Sequence, residues 1–327
     1  MHRIAALGAA LVLMASAAGQ QQALLQAAGD YPLPGAPSRW DYMSIDPSSA
    51  SLVLAHLGDS SVVVVDTHAK SVRGQVAGVS QVHGVLAAPG LGRIYATATG
   101  SNELVVIDAQ SLAILARVPV GRYPDGLAYA PPAGKIYVSD KEGRTESVVD
   151  VRTNRRIATI PLGGEVGNSQ YDPVSGHVYV NAEGTGELVE VDPATDHIVA
   201  RIRLRGAEGN HGLLIEPKRR LAFIACEGND KLLVLDLRRR KVTAAFEVAG
   251  EPDVLAYDPG LGILYVATES GPVHLFHVGG DGVTRMGEAP VGSNAHTVAV
   301  DPVSHEVYFA LRHGGTGPML RVMRPAR

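Results

Sequence analysis

An internal repeat of about 42 residues constrains the fold of this 327-residue chain more than any other feature. Seven times a proline follows a short apolar run, and the spacings between successive prolines are 42, 42, 42, 44, 42 and 43 residues. After each proline come a second apolar segment, a third that mostly ends in aspartate, and a shorter fourth. Four short strands per repeat of this length are typical of a β-propeller blade, whereas a solenoid is the less suitable alternative. The marker prolines are Pro47, Pro89, Pro131, Pro173, Pro217, Pro259 and Pro302.

The seven repeats predict an all-β fold, a seven-bladed β-propeller of four-stranded blades. The last repeat supplies only three strands, near 296–301, 306–311 and 318–323. The segment 30–35, with the sequence DYPLPG, matches the fourth-strand pattern and directly precedes the first repeat. We expect this N-terminal strand to complete the last blade, because the pairing closes the ring and removes an open sheet edge.

The first residues have the pattern of a secretory signal peptide. His2 and Arg3 form a short basic region, residues 4–14 are an apolar run, and residues 15–18 are small. The run is shorter than the roughly 20 apolar residues of a membrane-spanning helix, although an uncleaved anchor is the alternative. The sequence thus predicts a periplasmic or secreted protein. The predicted organisation is a signal peptide over 1–18, a flexible N-terminal arm over 19–29 and a single propeller domain over 30–327.

Charge and cysteine content exclude several classes of function. The formal net charge is −4, whereas a general nucleic-acid-binding protein would carry a strong basic excess. Cys226 is the only cysteine, which excludes an intrachain disulfide, a multi-cysteine zinc site and a CxxCH haem attachment. No nucleic-acid partner is expected, and the chain is expected to be a monomer.

One position of the repeat, which we call the ring position, carries a titratable side chain in six of the seven blades. It lies six residues before each marker proline, at the start of the innermost strand, so it should line one mouth of the central channel. Its three histidines fall in blades 2, 5 and 7 and could converge on the channel axis. Three imidazoles with an open position are typical of catalytic zinc, and copper or magnesium are alternatives. The ring-position residues are Asp41, His83, Asp125, Gly167, His211, Asp253 and His296, with Asn168 as the alternative in blade 4.

Chemical roles follow from this placement. The predicted metal ligands are His83, His211 and His296, which together with Glu227 are also the predicted catalytic residues. The residues expected to orient the imidazoles or to contact a ligand are Asp41, Asp125, Asn168, Asp253 and Trp40. Two alternatives remain, a structural His–Asp hydrogen-bond network that plugs the channel and a ligand site without metal.

Loops on the same face extend the predicted site. A concave mouth with carboxylates, imidazoles and Trp40 at its rim would suit a small molecule or a polymer fragment. The loops after the second strands carry His56, Asp140, Glu183, Glu227, Glu269, Arg312 and His313, and those before the first strands carry Arg122, Tyr123, Glu165, Glu208 and Glu251.

A second candidate surface lies on the opposite face of blade 5. Residues 218–220 and 238–241 are two basic runs in turns that should emerge side by side. We call these seven residues the basic edge. It could meet an anionic surface or an acidic partner, and a solvated patch is the alternative.

Two known families resemble this chain. The segments IYATATGSNELVVID and VYVNAEGTGELVEVD resemble the repeats of YVTN-repeat β-propellers, and the match extends over nearly the whole chain after residue 30. That resemblance implies an exported seven-bladed propeller. The fragments PDGLAYAP, VHGVLAAP and NHGLLIEP are similar to repeats of streptogramin lyases, which implies His and Glu around a divalent metal on one face. In this chain the acidic residue falls one place later than in that family.

Three hypotheses of function follow. The first is an exported propeller that binds a small ligand, with a divalent metal, at the channel mouth, and that could catalyse metal-assisted elimination or hydrolysis. The second is a non-catalytic module that binds a protein or polymer and whose His–Asp ring is structural. The third is a redox accessory protein with histidine-bound copper. The sequence leaves open whether the chain is an enzyme.

Overall fold

The computed structural model describes residues 23–248, 250–315 and 317–326. The predicted signal peptide and residues 19–22 of the predicted arm lie outside these ranges. Within them, no helix has the length and apolar character needed to cross a membrane.

The described chain forms seven antiparallel sheets of four strands, arranged as the blades of a ring. This confirms the predicted all-β, seven-bladed propeller. In blades 1 to 6 the strands follow chain order from the channel outward.

Blade 1 contains β2 (Met43–Asp46), β3 (Ser51–His56), β4 (Ser61–Asp66) and β5 (Ser71–Ala77). Blade 2 contains β6 (Val82–Ala88), β7 (Arg93–Ala98), β8 (Glu103–Asp108) and β9 (Ile114–Pro119). Blade 3 contains β10 (Pro124–Ala130), β11 (Lys135–Asp140), β12 (Thr145–Asp150) and β13 (Arg155–Pro161).

The remaining blades repeat this plan. Blade 4 contains β14 (Val166–Asp172), β15 (His177–Ala182), β16 (Glu187–Asp192) and β17 (His197–Arg203). Blade 5 contains β18 (Asn210–Glu216), β19 (Leu221–Cys226), β20 (Lys231–Asp236) and β21 (Lys241–Glu247). Blade 6 contains β22 (Pro252–Asp258), β23 (Ile263–Thr268), β24 (Pro272–Gly279) and β25 (Gly282–Pro290). Blade 7 contains β26 (Ala299–Val300), β27 (Val307–Gly314), β28 (Gly317–Pro325) and, as its outer strand, β1 (Leu25–Pro32). Short 3₁₀ turns join some strands, at Pro47–Ser49, Leu57–Asp59, Pro89–Leu91, Thr99–Ser101, Pro131–Ala133, Glu183–Thr185 and Glu227–Asn229.

The closing strand begins earlier than the sequence suggested. β1 pairs with β28 from Leu25 opposite Pro325 to Pro32 opposite Met319. Residues 25–29, predicted as flexible arm, are therefore part of blade 7. Leu25 is buried in the core between blades 6 and 7, which explains why pairing extends this far.

The core lies between the blades and follows from the strand pattern. The second and third strands are apolar almost throughout, because neighbouring blades cover both of their faces. The fourth strands alternate between exposed and half-buried residues, as β21 does, because one face meets solvent. Cys226 is buried in this core, in the hydrophobic cluster around blades 4 and 5.

Candidate functional site

A backbone irregularity directs the ring-position side chains. In blades 2 to 6 the pairing between the first and second strands shifts where the ring position lies. A bulge of this kind turns side chains away from the regular alternation and is common next to functional sites. The shifts fall between Val82 and Val85, Pro124 and Leu127, Val166 and Ser169, Asn210 and Leu213, and Pro252 and Leu255.

Glycine follows the ring position where adjacent blades come closest. A Cβ atom at Gly84 would collide with the backbone oxygen of Asp125, and one at Gly212 with that of Asp253. The His–Gly and Asp–Gly pairs of the repeat thus reflect the close approach of inner strands.

The ring-position residues meet at a polar cavity, which we call the upper chamber. Its volume is about 160 Å³. Five ring-position residues contribute to its wall, so this position lines the channel mouth in blades 1, 2, 3, 5 and 6. His296 is buried beside the chamber, and Asn168 lies below it, on the wall of a larger cavity. The lining residues are Arg39, Asp41, Tyr42, His83, Tyr123, Asp125, Lys141, His211, Glu227, Glu251, Asp253 and Glu269.

The upper chamber has more acidic than basic side chains. Six of its lining residues are carboxylates and two, Arg39 and Lys141, are permanent cations. Burial raises the pKa of Asp253 well above its usual value; His211 opposes this shift, and neighbouring carboxylates add to it. Burial likewise raises the pKa of Asp41. The chamber therefore favours binding of positive charge, either a proton or a cation.

His211 is the most constrained histidine of the ring. Its Nδ1 lies 2.5 Å from Glu183 Oε1, and its Nε2 lies 2.9 Å from the Tyr42 hydroxyl. Burial and the Lys141 ammonium lower the pKa of His211, but Glu227, the bond to Glu183 and Asp125 together raise it to about 10. In this state both ring nitrogens of His211 donate.

His296 has the opposite surroundings. The residue is 1% exposed, and neither ring nitrogen has a hydrogen-bond partner within the described chain. Its Nδ1 lies 3.9 Å from Glu269 Oε2, while Arg39 Nη2 holds the other oxygen, Oε1, at 2.7 Å. Burial lowers the pKa of His296 to about 4, against the attraction of Asp41. The ring is thus neutral at pH 7.

His83 lies at the chamber edge in a third environment. Its Nδ1 donates to the carbonyl oxygen of Gln81 at 2.9 Å, so in the neutral ring Nε2 accepts from the Tyr123 hydroxyl at 3.2 Å. Tyr123 was expected in a rim loop as a hydroxyl donor, and it contacts His83 there.

The three histidines do not share one ligand-binding point. Among the described residues, two sets of side chains bring three ligand atoms within 4.8 Å of one another, and each combines one imidazole with two carboxylates. The three-imidazole set predicted from the sequence is not one of them, because the histidines stand two or three blades apart around a channel of finite width. The two sets are His211 with Glu227 and Asp253, and Asp253 with Glu269 and His296.

Tyr42, Lys141 and Arg39 are chamber residues that sequence reasoning missed. Tyr42 follows the ring position of blade 1, where blades 2, 3 and 5 have glycine, so a single large side chain at that place was a readable signal. Lys141 lies 42 residues before Glu183, at the same position of the repeat. No comparable repeat signal marks Arg39.

Three expected rim residues, Asp140, Trp40 and His56, are structural instead. Asp140 is buried and accepts from the Gly121 amide and from Ser147 Oγ, at 2.8 and 2.7 Å. Trp40 is 1% exposed and belongs to the core between blades 7 and 1, where it stacks on the buried ring of His56 at 3.8 Å. Trp40 lies in the loop before β2 and Asp140 is the last residue of β11, and each directly precedes a chamber residue.

Below the upper chamber the channel widens into a second cavity of about 650 Å³. Tyr42 lines both cavities. Its hydroxyl accepts from Asn168 Nδ2 at 2.7 Å and donates to Asp253 Oδ1 at 3.2 Å. Tyr42 and Asn168 therefore form the partition between the polar mouth and the more apolar channel.

The basic edge is partly neutralised within the fold. Arg220 pairs with buried Asp172, and Arg240 Nη2 lies 2.8 Å from Glu190 Oε2. Arg238 and Arg239 remain exposed. An anionic partner at this edge stays a prediction.

Comparisons with known proteins support the fold alone. No family model and no curated protein matches the chain, so membership of the YVTN-repeat family stays a prediction. The chain is similar to a solved structure of hydrazine synthase from Kuenenia stuttgartiensis, with TM-score 0.74 and 16% identity over 87% of this chain and 95% of that one. It is also similar to the WD40 repeats of RRP9, with TM-score 0.78 and 12% identity over 92% of this chain and 100% of that one. A chain of the mitotic checkpoint complex is similar with TM-score 0.76 and 10% identity, over 100% of this chain and 99% of that one. The chain is thus a seven-bladed β-propeller, and its function has to be argued from the site.

Proposed function

We propose that this propeller binds a divalent cation beside the upper chamber, through His296, Glu269 and Asp253. The observation that carries the proposal is the burial of His296 with both ring nitrogens unpartnered in the described chain. A buried polar group without a partner costs about 1–3 kcal/mol, and a cation bound to a ring nitrogen would remove part of that cost. Two carboxylates stand with their oxygens within 4.8 Å of the ring, as a ligand set requires.

The surrounding charge supports a cation. Carboxylates outnumber permanent cations in the chamber wall by six to two. Arg39 engages one oxygen of Glu269, which directs the other oxygen toward His296. An ion of charge +2 would offset repulsion among the acids that burial intensifies.

The donor atoms narrow the choice of ion. One imidazole nitrogen with carboxylate oxygens is a mixed set that suits zinc or manganese, whereas magnesium prefers oxygen ligands alone. Of the ions named from the sequence, zinc therefore fits this set best.

A small ligand would complete the coordination. The chamber volume of about 160 Å³ lies below the roughly 300–1,000 Å³ of drug-sized ligand pockets, so the ligand would be small. The Arg39 and Lys141 side chains on its wall would attract an anionic oxygen group toward the ion. Metal-assisted elimination or hydrolysis, with His83, His211 or Glu227 as a base, stays a prediction from the sequence.

Zinc titration of chelator-treated protein tests the proposal. The wild type should bind zinc. The His296→Ala variant should bind zinc at least about 10-fold more weakly, because the substitution removes the imidazole ligand. His68→Ala is the matched control, since His68 is exposed in a turn on the opposite face. Zinc at 100 times its Kd should add about 2.7 kcal/mol to the free energy of unfolding. A wild type that binds neither zinc nor manganese, or a His296→Ala variant that binds both normally, contradicts the proposal.

A structural ring is the second candidate, and His211 favours it. Both of its ring nitrogens are bonded, to Glu183 and Tyr42, as in the channel plug expected for a non-catalytic module. In that case His211→Ala lowers the melting temperature of metal-free protein, and added metal leaves the wild-type melting temperature unchanged.

A further inference from the structure

The two ligand sets share one residue, Asp253. Both sets obey one rule of the repeat. Each takes the ring position of a blade, the residue directly after that blade's second strand, and the ring position of the next blade. Blade 5 supplies His211 and Glu227, and blade 6 supplies Asp253 and Glu269, with His296 following in blade 7.

Blades 3 and 4 break this rule. In blade 3 the residue after the second strand is Lys141, a cation, and in blade 4 the ring position is Asn168, an amide. The ligand-bearing combination therefore occurs twice in succession, and Asp253 is the residue where the two occurrences meet.

We propose that the upper chamber holds a pair of divalent cations bridged by the Asp253 carboxylate. This inference rests on the proposed function, which assigns the first ion to His296 and Glu269. The second ion would bind His211 Nε2 and Glu227. A carboxylate has two oxygens and can ligate two ions, which in two-metal sites stand about 3.5–4 Å apart.

A separate observation supports the second position. Asp125 is 4% exposed and lines the chamber, and its Oδ1 has no hydrogen-bond partner within the described ranges. Its other oxygen lies 3.7 Å from His211 Nε2. A buried carboxylate with one oxygen lacking a donor and the other close to a ring nitrogen would be stabilised by a nearby cation.

The surroundings of His211 prepare it as a ligand. Glu183 accepts from Nδ1 at 2.5 Å, and a carboxylate on the far nitrogen of a metal-bound histidine fixes its tautomer and orientation. The Tyr42 hydroxyl now contacts Nε2 at 2.9 Å. The Nε2 proton of His211 would be released to solvent when the second ion binds, as metal binding to histidine requires. The Tyr42 hydroxyl would give up its contact with Nε2 and keep its bonds to Asn168 and Asp253.

Manganese binding to chelator-treated protein, measured by equilibrium dialysis, tests the pair. We expect two ions per wild-type chain and one ion in Glu227→Gln, which retains the first site. Glu269→Gln should likewise lower the count, from two to one. Glu247→Gln, which changes a glutamate that is 82% exposed, should still bind two. Electron paramagnetic resonance of the fully loaded wild type should show exchange coupling between the ions, and Glu227→Gln should give the spectrum of an isolated ion.

The outcomes separate this inference from the proposed function. One manganese per wild-type chain, unaffected by Glu227→Gln, overturns the pair and leaves the site at His296 standing. No bound ion in the wild type overturns both. Two ions without exchange coupling overturn the shared bridge. Circular dichroism of each variant checks that a lower count does not reflect unfolding.

Discussion

The Tyr42 hydroxyl links side chains of several blades at the channel mouth. Tyr42 lines both cavities of the channel, and the corresponding positions of blades 2, 3 and 5 are Gly84, Gly126 and Gly212. Its hydroxyl contacts Asn168, His211 and Asp253, which come from three different blades. One residue of blade 1 thereby links blades 4, 5 and 6 across the ring.

Removing the Tyr42 hydroxyl should therefore destabilise the fold. In metal-free buffer, Tyr42→Phe leaves Asn168 Nδ2 and His211 Nε2 without a hydrogen-bond partner and should lower the free energy of unfolding by about 1–3 kcal/mol. Tyr129→Phe is the control, because Tyr129 lines the lower cavity and is not part of the Tyr42 hydrogen-bond network. Urea unfolding curves of the two variants provide the measurement. Equal changes in both would mean that the Tyr42 network carries no stability.

Side-chain direction explains which site residues could be predicted. The ring position was readable, because the 42-residue period brings its residues to one mouth whatever the details of packing. The choice between adjacent residues was not readable. Asp140 was expected at the mouth, while its neighbour Lys141 lines it. Trp40 and Asp41 were both expected there, and only Asp41 lines it. A bulge or a turn shifts the register by one residue, and hydrophobic patterning alone does not locate it.

At the scale of elements, β1 decides whether the ring is closed. It pairs with β28 along its length, and Arg321 binds Asp30 through two parallel bonds of 2.8 and 2.7 Å. This bond to Arg321 holds the pKa of Asp30 below its usual value, although the side chain is only partly buried. Without β1, the edge of β28 would be open to pairing with another chain.

Truncation should reveal this contribution. A chain that starts at residue 33 lacks β1, and a chain that starts at residue 23 retains it. Burial of Leu25 alone is worth about 1.5–3 kcal/mol, so the shorter chain should melt several degrees lower. It should also associate through β28, which size-exclusion chromatography measures. Identical melting temperatures and elution volumes would show that ring closure does not depend on this strand.

The strand order was predictable from the sequence for a general reason. Each blade is a meander of adjacent strands, so local patterning suffices to place its members. The closing strand is the exception, since its partner lies almost 300 residues away, and its start at Leu25 depends on packing against blades 6 and 7. Short β26, Ala299–Val300, likewise departs from the expected strand near 296–301.

At the scale of the whole molecule, the pKa values of aspartates shift in opposite directions on the two faces of the ring. On the upper face burial raises the pKa values of Asp41 and Asp253. On the lower face aspartates end the strands and accept from backbone amides two and three residues ahead, as Asp150 does from Arg152 and Thr153 at 3.0 and 2.9 Å. These amide bonds favour the ionised form and lower the pKa of the turn aspartates.

Protonation of these aspartates at low pH should therefore destabilise the turns of the lower face. Asp172 provides the clearest test. Burial opposes its ionisation, but Arg220, Ser175 and the Val174 amide lower its pKa overall. Asp172 has a lower pKa in the folded protein than in the unfolded chain, where the value is about 3.9. Its carboxyl therefore stabilises the fold at pH values above about 3.9, and this stabilisation is lost as the pH falls through the pKa of the folded state. Asp172→Asn should thus be destabilised at pH 7, and its deficit against the wild type should shrink between pH 5 and pH 2. Urea unfolding at constant salt measures both curves, with exposed Asp281→Asn as the control. A deficit that stays constant over this range would mean that the Asp172 carboxyl does not owe its stabilising effect to its charge.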